Sequence, residues 1–552
     1  MASLSVIAVV LAPVLFLIKY LLLDPLFLSP LSRVPGPKAF ALTKWRLAYE
    51  DWKGARTRTI HQLHQKYGPV VRIGPDEVSF NSLAALRTIY GPGSKYGRTG
   101  FYRMFDVYGR QNLFTFHSAV EHGQRKKLLS HAYSKSTMLK EPSTSMVEEK
   151  ARKYMALIDA EPGHVSEIFS TLHYYSLDNI TEFLYGRYGS TSALEGSEPH
   201  RALIGDILDP SRRKLSWFTV HLNTVTKWLY SRTNTMETVV QPLLPMQKPA
   251  TYTGIRDFAL QAYRSFRSDM EMSEKEGRPL EEAEGSSILE RLWAYHQTHK
   301  TDGLDDLEIA SECADHFLAG IDTTSDTLMF LIWSLSQPRN KVFQEKLRRE
   351  VLGLSGESLN GHGLPTAEAS DKCIYLNAVI KETLRLYAPL PTFEPRSSIA
   401  DTVIDGYNIP ANVTVGMSPF TLHRNPEVFK DPRTFNPDRW LGPQAAEMNR
   451  WFWAFSSGGR MCIGLQFVIS SSVSFCVVGV QNADSLSNSL AMAEMTTLAA
   501  TIYRKYSTTI APGFEDITPG ITARFEVFYD DRFPKMLEHT CLIKFEELGG
   551  NA

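Results

Sequence analysis

Ten residues near the C-terminal end, Phe455 to Gly464, read FSSGGRMCIG and limit what this chain can build more than any other stretch. Glycine lets a backbone turn tightly and come close to a flat group, so the segment reads as a cradle. Amide N–H groups directed at the Cys462 sulfur would hold it as a thiolate, and Arg460 can pair with an anionic substituent. A lone cysteine in a glycine-rich loop ordinarily means little. Here Phe455, Gly458, Arg460, Cys462 and Gly464 occupy the spacing FxxGxRxCxG, and five placed positions make coincidence a poor account.

The other cysteines, Cys313, Cys373, Cys476 and Cys541, are scattered without a CxxC pair. That argues against a disulfide framework or a zinc site and leaves them as small buried hydrophobes. Apolar residues make up 43% and charged residues 22% of the 552-residue chain, the values of a protein with a large core. The 59 basic and 60 acidic residues leave a net charge of −1, so no global field draws nucleic acid, and that class of partner is excluded.

The chain begins MASLSVIAVVLAPVLFLIKYLLLDPLF, apolar from Leu4 to Leu23 except for Lys19. About 20 such residues cross a bilayer. The segment has neither a basic n-region nor a small-residue cleavage site, which favours a retained anchor over 1–24. Arg33, Lys38, Lys44 and Arg46 follow it, so the positive-inside tendency predicts a cytosolic body. Pro25 and Pro35-Gly36-Pro37 make 25–44 a stiff hinge that fixes the direction in which the chain leaves the anchor.

Beyond the hinge, 45–552 reads as one large, mainly helical domain with small β-sheets (α+β). Helical periodicity marks Thr57–Tyr67, His122–Ser134, Tyr174–Gly186, Tyr252–Gly277 and a long run from Asp305 to Gln337. Strands are predicted around the Gly-Pro turn of VVRIGPDEVSF, within Asp401–Ser418 and in RFEVFYDD from Arg524 to Asp531.

Within the long helix, ADHFLAGIDTTSDTL sets Asp322 and Thr323 on an apolar surface just after Ala319-Gly320. Gly weakens a helix by roughly 1 kcal/mol relative to Ala, and Asp and Thr compete for backbone hydrogen bonds. Such a conflict predicts a kink or groove that something occupies. Downstream, Glu382 and Arg385 lie at i and i+3, where an ion pair can form. Arg439, in the Pro-bounded FNPDRW, could reach the same carboxylate as part of a structural clamp.

Together and in this order, these features resemble the cytochrome P450 family. The resemblance implies that Cys462 is the axial thiolate ligand of a haem b iron, a ligation that favours O–O cleavage. It implies that Asp322 and Thr323 relay protons, and that Glu382, Arg385 and Arg439 form the structural triad. Phe455, Gly458, Arg460 and Gly464 would cradle the haem. His122, Lys126 and Arg396 would meet its carboxylates, with Arg125 able to substitute for Lys126. His122 and Lys126 stand where Trp and Arg are common, and Lys cannot bind a carboxylate as a fork. Phe101, Phe114, Phe317, Ala319, Thr392, Phe393 and the loop at Thr518-Pro519-Gly520 are the substrate-side candidates.

Family members continue CxGxxLAxxE without a break, whereas here CIGLQ stops and the pattern resumes near Ser489. Phe467 to Ser489 is atypical: too short and too rich in Ser for a second membrane span, and placed where it would interrupt a helix whose amino end favours the thiolate. Permitted codons for Gln466-Phe467-Val468, Asn482-Ala483-Asp484 and Asn488-Ser489 contain donor-like, branch-like and acceptor-like sequences, so a retained intron is the favoured reading over a genuine surface insertion. The implied activity is insertion of one oxygen atom from O2 into an apolar secondary metabolite, with an aromatic polyketide favoured over a terpenoid. Electrons would come from NADPH through a cytochrome P450 reductase, at the endoplasmic reticulum membrane. Oxidative phenol coupling, rearrangement of a peroxide without a reductase, and a haem-binding protein inactivated by 467–489 are the rivals. The intact Asp322-Thr323 pair counts against a pure peroxide isomerase, which has little need of a proton relay.

Overall fold

In the computed structural model, residues 11–208, 211–230, 239, 253–276, 287–299, 303–464, 490–523 and 526–547 are described. The first ten residues of the predicted anchor, Cys476, Arg524 and the whole 467–489 segment lie outside them.

Leu11–Leu28 is a helix long and apolar enough to cross a membrane, and none of it is buried against the body. It runs past Asp24 and through Pro25, four residues beyond the predicted end. Wider π-type winding from Lys19 accommodates the proline, and Lys19 Nζ reaches Asp24 Oδ2 at 2.9 Å. The hinge then packs on the body instead of standing free. Leu31 and Val34 are buried. Arg72 donates to Pro25 O at 2.7 Å, and its own N–H reaches Pro35 O at 2.7 Å. Gly36 approaches this strand so closely that a Cβ would lie 2.5 Å from Arg72 O.

Eight helices place the site: α1 (Arg56–Tyr67), α2 (Ala119–Ser130), α3 (Ser143–Ala160), α4 (Ile168–Tyr185), α5 (Thr253–Glu276), α6 (Asp306–Ser336), α7 (Ile374–Leu386) and α8 (Leu490–Lys505). The main core gathers apolar faces of α3, α4, α6, α7 and α8, with Leu328, Leu331, Val379 and Leu498 at its centre. A second core joins α4 and α5 to the first half of α6.

Four small sheets flank the helices. The largest runs β1 (Val70–Gly74), β2 (Glu77–Phe80), β8 (Thr414–Gly416), β5 (Arg396–Ser397) and β3 (Gly97–Arg98) in spatial order. The β1–β2 hairpin pairs Val70 with Phe80, and β3 sets Arg98 directly opposite Arg396 of β5. Another sheet joins β4 (Val165–Glu167), β13 (Leu542–Glu547) and β9 (Tyr506–Ile510). β6 (Thr402–Ile404) pairs with β7 (Tyr407–Ile409). The last sheet centres on β10 (Ile517–Ala523) between β11 (Glu526–Tyr529) and β12 (Lys535–Glu538). Thr518-Pro519-Gly520, read from the sequence as a loop, therefore lies within a strand, paired along β12 and, from Gly520 onward, also with β11.

α6 runs as one unbroken α-helix from Asp306 to Ser336. Asp305 and Glu308 form a capping box at its start, which satisfies two orphan donors reciprocally. Gly320 instead serves packing, because a Cβ there would lie 2.5 Å from Ile180 Cγ1 of α4. The competing hydroxyls turn back on their own helix: Thr323 Oγ1 donates to Ala319 O at 2.8 Å and Thr327 Oγ1 to Thr323 O at 2.7 Å.

Candidate haem-thiolate site

The loop before α8 is shaped by three local devices. Cys462 N–H donates to Phe455 O at 2.9 Å and closes the turn around the thiol, which is exposed. Gly458 takes φ +65°, and a Cβ there would run into the Tyr90 carbonyl and Gly91. A Cβ on Gly464 would lie 3.4 Å from Cys462 Sγ and 4.0 Å from Ala491 Cβ. Gly464 thus lies beside the sulfur and within ordinary contact distance of α8. Phe455, half-buried, packs against the main core.

Cations converge beside this loop. Arg98 and Arg396 are 6% and 2% exposed and stand directly across from each other in the sheet. Like charges in that register repel. Arg98 donates to Leu113 O at 2.8 Å and lies over the rings of Tyr102 and Phe114. Burial, then Arg396, lowers its pKa to about 9. Burial also opposes the charge of Arg396, but Tyr102 and Glu394 outweigh it and hold Arg396 above the usual guanidinium value. Arg460 donates to Phe116 O at 2.8 Å and His117 O at 2.7 Å, and burial followed by Arg396 lowers it to about 10. His122 is buried, and desolvation, then Arg98 and Arg460, push it down to about 2, so it is a neutral imidazole. Lys126 Nζ caps Gly459 O at 3.1 Å and Met461 O at 2.7 Å, on either side of Arg460. Arg98 is the member that the sequence reading missed. It sits in a two-residue strand without a motif, and only its register against Arg396 reveals it.

Arg125 does not stand in for Lys126. Its guanidinium turns to α6, meeting Glu312 Oε2 at 2.5 Å and Glu308 Oε1 at 3.4 Å. Glu312 also lies 3.3 Å from His316 Nε2, and Tyr133 reaches His316 Nδ1 at 2.6 Å. This network locks α2 to α6, so Arg125 is consumed by structure.

On α6, Ala319 is exposed while Asp322 and Thr323 are half-buried, on a helix otherwise packed on most sides. These three form the open face of the helix. Phe101 and Phe114 are half-buried and meet through Phe105 and Tyr102 in edge-to-face contacts. The remaining substrate-side candidates are packed away. Phe317 is 0% exposed between Tyr185 and Phe258. Phe393 fills a small core with Phe40, Ile60 and Val71. Thr392 is buried, and Thr518 accepts from Asp530 N at 3.2 Å inside the sheet. Their aromatic and strand positions serve the core.

Glu382, Arg385 and Arg439 come together. Arg385 makes a two-pronged contact to Glu382 at 2.8 and 2.9 Å, and Arg439 Nε reaches Glu382 Oε1 at 3.1 Å. Trp440 Nε1 and Asn436 N complete the carboxylate at 3.0 and 2.9 Å. Both Glu382 and Arg385 are fully buried, so this is a satisfied clamp distant from solvent.

Comparison with known proteins agrees with this arrangement. The family profile described as Cytochrome P450 matches residues 34–482. The chain is 29% identical to cytochrome P450 monooxygenase aflV of Aspergillus parasiticus over 456 residues, 80% of this chain and 83% of that protein. It is 28% identical to cytochrome P450 monooxygenase stcB of Emericella nidulans over 452 residues, 80% of this chain and 79% of that protein. Cytochrome P450 monooxygenase FGM1 of Gibberella zeae is 25% identical over 475 residues, 84% and 86% of the two chains. The chain belongs to the cytochrome P450 family, as a monooxygenase of the fungal secondary-metabolite type. Membership brings a haem with a cysteine thiolate ligand and NADPH-derived electrons delivered through a reductase.

The residues present fit that group. A glycine-lined turn flanks an exposed thiol, and the buried charge of Arg98, opposed by desolvation and by Arg396, gains from an anion placed beside it. Thiolate-ligated haem, when bound, supplies activation of dioxygen.

Proposed function

We propose that Cys462 is the axial ligand and that Arg98, Arg396, Arg460 and His122 receive the haem carboxylates. Lys126 steadies the loop from its backbone side. The carrying observation is the pairing of one exposed cysteine in a glycine-lined turn with a buried cluster of arginines beside it. On the opposite face, Asp322 and Thr323 move protons, Ala319 leaves room, and the packed core of α6 excludes water. The clamp of Glu382, Arg385 and Arg439 keeps the Cys loop on its base.

The substrate we propose is a flat, apolar aromatic metabolite of polyketide type, received against Phe101 and Phe114. The secondary-metabolite character of the relatives and the aromatic wall support this reading. The exposed apolar helix Leu11–Leu28 supports a single-pass anchor, with the body on the cytosolic side of the endoplasmic reticulum and a membrane-bound NADPH–cytochrome P450 reductase as partner. We also propose that 467–489 contributes no chemistry. Gly464 and Ala491 are close neighbours, so a chain joining loop to α8 directly needs few residues.

The test is expression of the haem-loaded protein with a reductase. A red-shifted ferrous–CO band, lost in Cys462→Ala, reports the ligand. A product carrying one atom of labelled dioxygen reports insertion, whereas an unlabelled dimer reports phenol coupling. Sequencing the transcript decides the fate of 467–489. An mRNA that retains it, with full haem content in its protein, overturns that part.

A further inference from the structure

From Ile309 to Ser336, α6 buries every residue except Asp315, Leu318, Ala319, Gly320, Asp322 and Thr323. The crossing with α4 takes up Gly320. Asp315, Ala319 and Asp322 stand at i, i+4 and i+7, so they form one stripe along the helix. The open face therefore begins two turns before Asp322, at a carboxyl that the proton pair does not use.

Among the described residues Asp315 makes no hydrogen bond or ion pair, whereas its neighbours are taken. Glu312 holds Arg125, His316 and the Leu113 N–H, and His316 also meets Tyr133. Asp315 is half-exposed, yet desolvation is the largest influence on its carboxyl and raises it to about 7. A half-exposed carboxyl on the outer surface keeps its water and stays ionised. One that is both accessible and desolvated faces an internal hollow. His316 lowers it, Glu312 raises it further, and the charges of Arg98 from β3 and Arg256 from α5 lower it. The aromatic wall reaches the same place: Leu113 N–H donates to Glu312 Oε1 at 3.1 Å, one turn before Asp315, and Arg98 lies over the Phe114 ring.

The chemistry of the group narrows what it can receive. A carboxyl that holds a proton for part of the time both donates and accepts. A wholly apolar occupant would strip its water and leave it unpaired. A cationic occupant would bring a second charge out of water at a larger cost. A hydroxyl satisfies it in either protonation state. We propose that Asp315 is the polar recognition residue of the pocket, hydrogen-bonding a phenolic hydroxyl at the end of the substrate remote from the carbon that reacts. The proposal rests on the reading of a flat aromatic substrate received against Phe101 and Phe114. Eight residues of helix separate Asp315 from Thr323, about 12 Å of rise, a span that a few fused rings fill.

The experiment uses the full, haem-loaded chain and follows the spin-state change of its haem on titration with four probes. These are phenanthrene, a hydroxyphenanthrene, its methyl ether, and a tertiary-amine analogue bearing a dimethylaminomethyl group. The native protein should bind the hydroxy probe at least about fivefold more tightly than phenanthrene or the ether, the worth of one net hydrogen bond. In Asp315→Ala that preference should vanish, with phenanthrene still bound within about twofold of native because it never used the bond. Asp315→Asn, whose amide also donates and accepts, should keep part of the preference. Retention of the ferrous–CO band controls for folding in both variants. A native protein that binds the hydroxy probe no better than phenanthrene overturns the proposal, and so does an unchanged preference in Asp315→Ala. Tightest binding of the amine probe, lost in Asp315→Asn, overturns it in favour of an ionised carboxylate that selects cations. If none of the four probes shifts the native spin state, the aromatic reading of the substrate fails, and this assignment falls with it.

Discussion

The Cys462 loop and the open face of α6 are built by different means. The Cys462 side is held by explicit bonds: Lys126 on two loop carbonyls, Arg460 on two more, Cys462 N on Phe455 O, and the Glu382 clamp behind. The α6 side is held by helix continuity, core packing and, toward its start, the Arg125–Glu312 ion pair to α2, while the Thr323 and Thr327 hydroxyls turn back on their own helix. The first face fixes geometry at the level of the backbone. The second leaves its functional side chains with small structural roles, so they are available for chemistry. Changes on the first face should therefore register in folding and cofactor retention, and changes on the second in how electrons are used.

The largest effect is expected for Cys462→Ala. Thiolate spectroscopy and product formation should vanish, while apoprotein unfolding, followed by circular dichroism, moves little. Next comes Glu382→Leu, which strands two buried guanidiniums. Breaking a buried pair in this way costs about 3–5 kcal/mol, read as a lower denaturation midpoint and a haem-poor preparation. On the other face, Thr323→Val should leave the denaturation midpoint within about 0.5 kcal/mol of native. Product per NADPH should fall several-fold while hydrogen peroxide rises. A midpoint shift as large as that of Glu382→Leu would erase the distinction between the faces.

The smallest effect concerns pH. Desolvation, tempered by His316 and reinforced by the charge of Glu312, raises the Asp315 carboxyl on α6 from 3.8 to about 7. The native state therefore keeps a proton that the unfolded chain releases, and the stability it contributes is complete below pH 3.8 and lost as pH rises through about 7. In Asp315→Asn, the decline of the thermal midpoint across that interval should be shallower than in the native chain. An identical slope would remove Asp315 from the account.

Much of the first face is legible in the sequence, because glycines, a lone cysteine and an i, i+3 acid–base pair declare themselves through local spacing. Asp322 and Thr323 are legible for the same reason. What escapes depends on partners far along the chain. Arg98 acquires meaning only from the register that sets it against Arg396, and Arg125 is claimed by Glu312 only once α2 lies on α6. Gly320 resembles a helix-breaker until the Ile180 side chain fills its space. Thr518 looks like a turn residue because Pro519 and Gly520 punctuate locally, yet the parallel ladder with β12 holds all three in a strand.

The facing arginines of β3 and β5 have a consequence for the protein before it ever meets a substrate. Glu394, 3.1 Å away, offsets the charge of Arg396, but burial and Arg396 both oppose the charge of Arg98, so an anion that binds there only in the folded form shifts the balance by mass action. Haem supply then acts as a quality checkpoint: chains synthesised faster than haem arrives stay near the unfolding threshold, where proteases remove them. Cellular abundance of this enzyme should follow haem synthesis as closely as it follows transcription.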